Sequence, residues 1–474
     1  MKDKKQLINL LIGPFLLYIC CQFLPSSIFG SIAEKASIGT VLWMAYWWVS
    51  GPVDYAVTAF LPIGVNAIVK MMDMNVLVSN YSSEIIMLLL GASIITVAWE
   101  ETGLDRRVSA KFLSLIGCSL RNQIIFWFML CTILSSILPN TVVCATVTPI
   151  AVSMLRYVGE KDVSQSKKAS KILLAIAYAA GIGGLASPLG GSMNLVTVKY
   201  LEEISNVEYM YIDWFIRFLP IMIVLVISNI IFILRDVKKD EVIGGTKAFF
   251  IEEYKKLPKM DKGEKLSFII FAICTILAFT RQFYQVYLPE LKPAYIFIIG
   301  ALLTFVVTNN SGERIMSWSR TQKKIVWDLI YIIGGGLAAG SLINLSGAAE
   351  SIGNAVALLN VDGGFITIFF ILSLSLIMSD FTSNTATAAI AIPIVISVMT
   401  GLNKNPIPYI YVATIGVNLS YMFPTSIRAI PVGYGLSPKY MFKEGWKMTI
   451  LVVIILTICS YLLILYWPEF STIS

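Results

Sequence analysis

The chain has 474 residues, of which 57% are hydrophobic and only 14% charged, and its mean hydropathy is +0.77. Ordinary soluble domains carry about a quarter of charged residues, so the composition excludes one and points to a protein of the bilayer. The net charge of +7 lies in loops between apolar runs, the bias of cytoplasmic loops, and is not read as nucleic-acid affinity. No histidine is present, which excludes histidine metal sites, Ser-His-Asp triads and histidine proton relays.

In chain order, the run 7–24 follows Met-Lys-Asp-Lys-Lys, lacks a small-residue cleavage site and leads into more membrane sequence, so it reads as a first helix and not as a signal peptide. Further spans are expected near 38–69 (one span with room for a re-entrant piece), 84–99, 170–198, 214–234, 265–287, 293–309, 325–345, 408–434 and 447–467, since about 20 apolar residues cross ~30 Å of hydrocarbon. Two segments, 122–156 and 363–400, are interrupted at their centres by polar residues. Each fits a helical hairpin better than one long helix. The fold class is therefore an all-α integral membrane protein, with about eleven transmembrane helices and two re-entrant helical hairpins. The polar segment 236–264 divides the chain almost in half. With Phe249, Phe250, Ile251 and Tyr254 among mixed charges, it reads either as a short surface helix or as a solvated linker. This gives an N-terminal helix (1–35), a first unit (36–235), the linker (236–264) and a second unit (265–474).

The interruptions carry the chemistry. Leu138-Pro139-Asn140-Thr141 is followed by Pro149, and Thr382-Ser383-Asn384-Thr385 by Pro393, with the same offset of 244 residues. Gly91 and Gly103 keep that offset from Gly335 and Gly347. Two halves in one register, each with an intramembrane Asn-Thr, are the pattern of a transporter whose site lies between inverted repeats. A hairpin tip frees backbone carbonyls and amides, tolerated at membrane depth where they line a site. Oxygen donors suit a hard cation, whereas the asparagine nitrogen, threonine hydroxyl and helix N-termini suit an anionic carboxylate. One asparagine can face both.

Basic residues cluster at Lys2, Lys4 and Lys5, at Arg106, Arg107, Lys111 and Arg121, from Arg156 to Lys171, from Arg235 to Lys265, and from Arg314 to Lys324. The positive-inside rule then places the N-terminus in the cytoplasm, the C-terminus outside, the first hairpin open to the cytoplasm and the second to the outside. Asp54, Glu84, Glu100, Glu101, Asp213 and Asp328 fall near helix ends, where capping or interfacial solvation is the commoner explanation, with Asp54 the first candidate for an exception. The seven cysteines have no CxxC spacing and read as core residues. Gly334, Gly335 and Gly336 read as close helix packing.

At the two Asn-Thr motifs, at Pro52 to Pro62, at Glu100-Glu101-Thr102-Gly103 and at Gly181 to Asn194, the chain resembles the divalent anion/sodium symporter family over nearly its whole length. The resemblance implies carriage of a small dianion, a di- or tricarboxylate or sulfate, with Na+ as coupling ion, and often a homodimer. It implies one cation site from Ser135, Asn140 and the Gly190 carbonyl, and a second from Ser379, Thr382 and Asn384 with backbone around Pro424. Substrate would lie between the tips, against Asn140, Thr141, Gly191, Asn384, Thr385 and Thr425. Three departures stand out: Pro139 in place of serine, Gly191-Ser192-Met193-Asn194 where the family has Thr-Pro-Pro-Asn, and a second loop two residues shorter in which Arg428 replaces asparagine. Arg428 is open to three readings: a ligand for a substrate carboxylate, a fixed charge replacing one sodium ion, or a structural partner of Asp380. The expectation is a non-enzymatic secondary transporter importing C4-dicarboxylates such as succinate, malate or fumarate with sodium. Sodium-independent exchange is the alternative.

Overall fold

The computed structural model describes residues 2–104, 107–108, 119–160, 162–243, 246–325, 327–357 and 363–473. Arg106, Lys111, Cys118 and Lys161 lie outside the described residues. The described residues are helical, with two isolated β-bridges and no strand.

The helices are α1 (Lys2–Phe23), α2 (Ile32–Ser50), α3 (Glu84–Thr102), α4 (Leu120–Ser135), α5 (Asn140–Tyr157), α6 (Lys167–Gly184), α7 (Ser192–Ser205), α8 (Tyr211–Leu234) and α9 (Thr246–Lys256). After these come α10 (Lys262–Phe279), α11 (Pro293–Val306), α12 (Trp327–Leu345), α13 (Ala348–Ala357), α14 (Phe365–Phe381), α15 (Asn384–Gly401), α16 (Ile407–Asn418) and α17 (Pro438–Tyr466). Among the described residues six helices are long and apolar enough to cross a membrane, and five shorter apolar segments accompany them. Exposed Ile216, Ile223, Ile227 and Ile231 on α8, and Ile450, Ile454 and Ile458 on α17, form the apolar outer faces that a bilayer solvates. The chain is an integral membrane protein.

Several expected spans are broken. The run 38–69 is α2 followed by short helices at Tyr55–Thr58 and Leu61–Ile68, because Gly51 caps α2 in the left-handed region (φ 60°) and Pro52 follows it. The run 170–198 is divided into α6 and α7 around a 3-10 turn at Pro188–Gly190, and 408–434 into α16 and a short helix Ala429–Gly433. These breaks leave helix ends inside the molecule. In the linker, the helix reading holds: α9 forms, and Phe249 is buried with its ring 5.1 Å from that of Tyr157.

Packing is related in the two halves. The first arm of each hairpin, α4 or α14, lies against the broken helix that follows it, α6 or α16. Glycine permits each approach. A Cβ on Gly183 would stand 2.7 Å from Thr132 Cα, and one on Gly416 would stand 3.0 Å from the Leu372 carbonyl. Gly335 likewise meets Ala59 of the segment after α2, the close packing expected of that cluster.

Candidate substrate and cation site

Both hairpins turn within a few residues at their polar tips, and Asn140 and Asn384 are the first residues of α5 and α15. Neither helix has a side-chain cap: Pro139 and Ser383 at the N-cap positions make no capping hydrogen bond. Two sets of free N-terminal amides are therefore available to an anion.

The second tip is built around oxygen. Ser379 Oγ lies 3.0 Å from Asn384 Oδ1, 2.8 Å from the Val417 carbonyl and 3.1 Å from Ser420 Oγ, all buried. Asn384 Oδ1 is also 3.4 Å from Ser420 Oγ, while Asn384 Nδ2 is buried without a partner. One side of the amide thus faces an oxygen cluster, and the other presents a free donor. Thr385 Oγ1 meets Ser192 Oγ at 2.5 Å, joining the second hairpin to the loop of the first broken helix.

The first tip has the same components. Ser135 is fully buried and its Oγ has no partner. A Cβ on Gly190 would stand 2.7 Å from the Ser135 carbonyl, and one on Gly184 3.0 Å from the Gly190 carbonyl and 3.2 Å from Asn140 Nδ2. Ser135, Asn140, Gly184 and Gly190 therefore converge. Gly191 is buried beside them, and Thr141 is exposed. Asn140, Thr141, Gly191 and Ser192 line a cavity of about 90 Å³ that extends along α3 to Glu100 and Lys324. A larger cleft, 240 Å³, lies at the other end of α3 around Glu84, Lys199, Glu202 and Lys292. It lacks both Asn-Thr pairs, whereas the smaller cavity is lined by the first of them, Asn140 and Thr141.

The other expected residues have the following partners. The Thr382 hydroxyl is engaged within its own hairpin, with the Met378 carbonyl (3.0 Å) and Thr387 Oγ1 (2.6 Å), and not with the Ser379 cluster. Thr425 Oγ1 donates to the Asp380 carbonyl at 3.1 Å, and Pro424 beside it is half-buried. Arg428 is buried, with Nη2 donating to the Asn418 carbonyl at 3.2 Å and its guanidinium over Gly181. Its Nε and Nη1 are without partners, as is Asp380 Oδ2, so the two residues do not meet directly. Asn194 stands at the end of the first broken helix as Arg428 does at the second: Asn194 Nδ2 donates to the Gly184 carbonyl at 2.6 Å, and its Oδ1 accepts from Asn418 Nδ2 at 2.8 Å. Ser420 and the Val417 carbonyl were not among the expected ligands. Ser420 lies four residues before Pro424, but only packing against α14 reveals it.

The family and the relatives that this chain matches are membrane transporters and not enzymes. Residues 45–416 match the citrate transporter family model, and the chain belongs to that family. The resemblance read from the motifs agrees. The chain is 27% identical to the sodium-dependent dicarboxylate transporter SdcS of Staphylococcus saprophyticus, covering 97% of this chain and 91% of the relative. It is 28% identical to the protein of the same name from Staphylococcus aureus strain MW2, covering 96% and 91%. Among solved structures, it matches the Alcanivorax borkumensis YdaH transporter with a TM-score of 0.55 at 12% identity, over 91% of this chain and 99% of that one. It also matches Neisseria gonorrhoeae MtrF, described among antimetabolite efflux pumps, with a TM-score of 0.54 at 11% identity, over 94% and 97%. At these identities the likeness is one of fold.

Proposed function

We propose that the chain is a secondary active transporter that imports small C4-dicarboxylate dianions, such as succinate, malate and fumarate, by sodium symport. The observation that carries this reading is the double-faced Asn384, whose Oδ1 belongs to an oxygen cluster while its Nδ2 is free and buried. A sodium ion held by Ser379, Asn384, Ser420 and the loop carbonyls would fix that amide with its nitrogen toward the substrate. Ser135, Asn140, Gly184 and Gly190 would do the same at the first tip. A dianion then has a carboxylate for each pair of donors, Asn140 with Thr141 and Asn384 with Thr385, and for each helix N-terminus. Because one side chain serves both cargoes, loading of either raises affinity for the other.

The reading includes alternating access between two oppositely oriented repeats, 36–235 and 265–474, whose hairpins are re-entrant. With the N-terminus inside, the cavity bounded by Glu100 and Lys324 opens to the cytoplasm, and the C-terminus lies outside. A homodimer belongs to the same reading by family likeness. Movement of the hairpin-bearing part against the remaining helices would carry both cargoes across.

A second reading, sodium-independent exchange, is favoured by Arg428, a buried cation with two unpartnered donors, which could supply the charge that a sodium ion otherwise brings. Uptake of labelled succinate into proteoliposomes, under a sodium gradient against equal potassium and with or without internal succinate, decides between them. Sodium-dependent uptake without internal substrate supports symport. Uptake that requires internal substrate and ignores sodium makes the protein an exchanger, and transport of citrate or sulfate in place of succinate would redefine the substrate.

A further inference from the structure

Asp380 is fully buried in the last turn of α14, next to Ser379. One oxygen, Oδ1, accepts three consecutive backbone amides from the second broken-helix loop: Tyr421 at 2.8 Å, Met422 at 2.9 Å and Phe423 at 3.5 Å. A second tie runs back from Thr425 Oγ1 to the Asp380 carbonyl at 3.1 Å. The clamped amides lie between Ser420, whose hydroxyl belongs to the oxygen cluster, and Pro424, whose backbone is expected at the same site. Asp380 therefore links the hairpin residues of that cluster, Ser379 and Asn384, to the residues that a separate helix contributes.

The first half has no such link. The residue 244 positions earlier is Ser136, which is half-buried and donates to the Ile133 carbonyl of its own helix at 2.6 Å. Its loop is held from within: Gly190 N donates to Ser187 Oγ at 3.2 Å, and Asn194 Nδ2 to the Ser187 carbonyl at 2.9 Å. A neutral hydroxyl and amide do there what a carboxylate does in the second half. Three amides on Oδ1 offset part of the cost of burying this anion, while Oδ2 is without a partner, and amides that bond a charged acceptor are held more firmly than those that bond a neutral one.

Building on the carrier reading above, we propose that Asp380 is the positioning residue of the second cation site. It holds the loop from Ser420 to Pro424 at the spacing a sodium ion requires and adds a negative charge behind it, without itself touching the substrate. The first cation site works without a carboxylate.

The test is sodium activation of succinate uptake in proteoliposomes for the wild type, Asp380→Asn and Asp380→Glu, with sodium-dependent thermal protection of the purified proteins in detergent. Asp380→Asn is expected to raise the half-saturating sodium concentration about 10–100-fold, the usual effect of removing a group that orients a metal ligand. The succinate KM at saturating sodium should stay within about two-fold, and the protection by sodium should fall. Asp380→Glu keeps the charge and moves the clamp, and should lie between. It also provides the measurement should the asparagine variant fail to fold. A wild-type sodium response in every variant that folds would overturn the proposal, as would an equal rise in succinate KM at saturating sodium. A wild type that transports without any sodium response or protection would also overturn it, leaving the carrier reading as an exchanger. A wild type that carries none of succinate, citrate or sulfate would instead remove the carrier reading itself.

Discussion

The two hairpin tips have the same sequence logic but differ in how their partner loops are fastened. At the first, Ser187 and Asn194 hold the loop with neutral hydrogen bonds inside it. At the second, Asp380 reaches from the hairpin to three loop amides, and Arg428 takes the place of asparagine at the carbonyl end of the broken helix. At its tip and partner loop the second half thus buries a negative and a positive group, Asp380 and Arg428, where the first has the neutral Ser136 and Asn194. Neutral bonds suffice to shape a loop. Charges in a low-dielectric interior additionally bias what binds there. The two tips are therefore expected to divide their tasks unequally, with the second more sensitive to the identity and charge of the coupled ion.

The comparison can be broken most forcefully at the asparagines. Asn140→Ala and Asn384→Ala should each lower succinate kcat/KM by about 100-fold, since each removes a contact to a charged partner worth about 1.5–3 kcal/mol. If only Asn384 mattered, the first tip would not be a binding element. Next in size, Gly190→Ala would place a Cβ against the Gly184 carbonyl and 2.7 Å from that of Ser135. It should raise the half-saturating sodium concentration about ten-fold, whereas Gly433→Ala, which meets open space, should leave uptake unchanged.

Arg428→Asn gives the second half the residue of the first. If the guanidinium replaces a sodium charge, this variant should need more sodium, with a higher Hill coefficient. If it only caps the helix, coupling should be unaltered and Arg428→Ala should lower stability by about 1–3 kcal/mol, the cost of an unsatisfied buried carbonyl, read by thermal unfolding. The smallest effect is expected at the cavity mouth, where Lys324 pairs with Glu101 at 2.7 Å and is exposed. Lys324→Gln should weaken succinate uptake about two-fold and only at low ionic strength.

Part of this candidate site could be proposed from the sequence. Asn140, Thr141, Asn384 and Thr385 could be named because polar residues repeated at one offset inside apolar runs are costly unless they serve a site, whereas Ser135, Ser379 and Gly190 were named only through the family resemblance. Breaks at Gly190 and Pro424 were less legible, because 170–198 and 408–434 read as continuous apolar runs. Hydropathy records side chains and is blind to where the backbone stops being helical. The resemblance implies Thr382 at the second cation site, but that its hydroxyl lies 2.6 Å from Thr387 Oγ1 could not be read from the sequence, because a rotamer depends on packing within the hairpin. Ser420 and the Val417 carbonyl were not found at all, since a serine in an apolar segment is unremarkable and a carbonyl has no residue type.

By itself, then, the sequence determined that this chain lies in a membrane, and that an Asn-Thr pair recurs at an offset of 244 residues within apolar runs. These follow from local composition and a repeating offset. Which oxygens gather around each asparagine, that Asp380 fastens a loop some forty residues away, and that Arg428 points at the Asn418 carbonyl were decided only by the tertiary structure. They depend on contacts between separate helices, and those contacts are made largely by backbone groups, which every sequence carries alike.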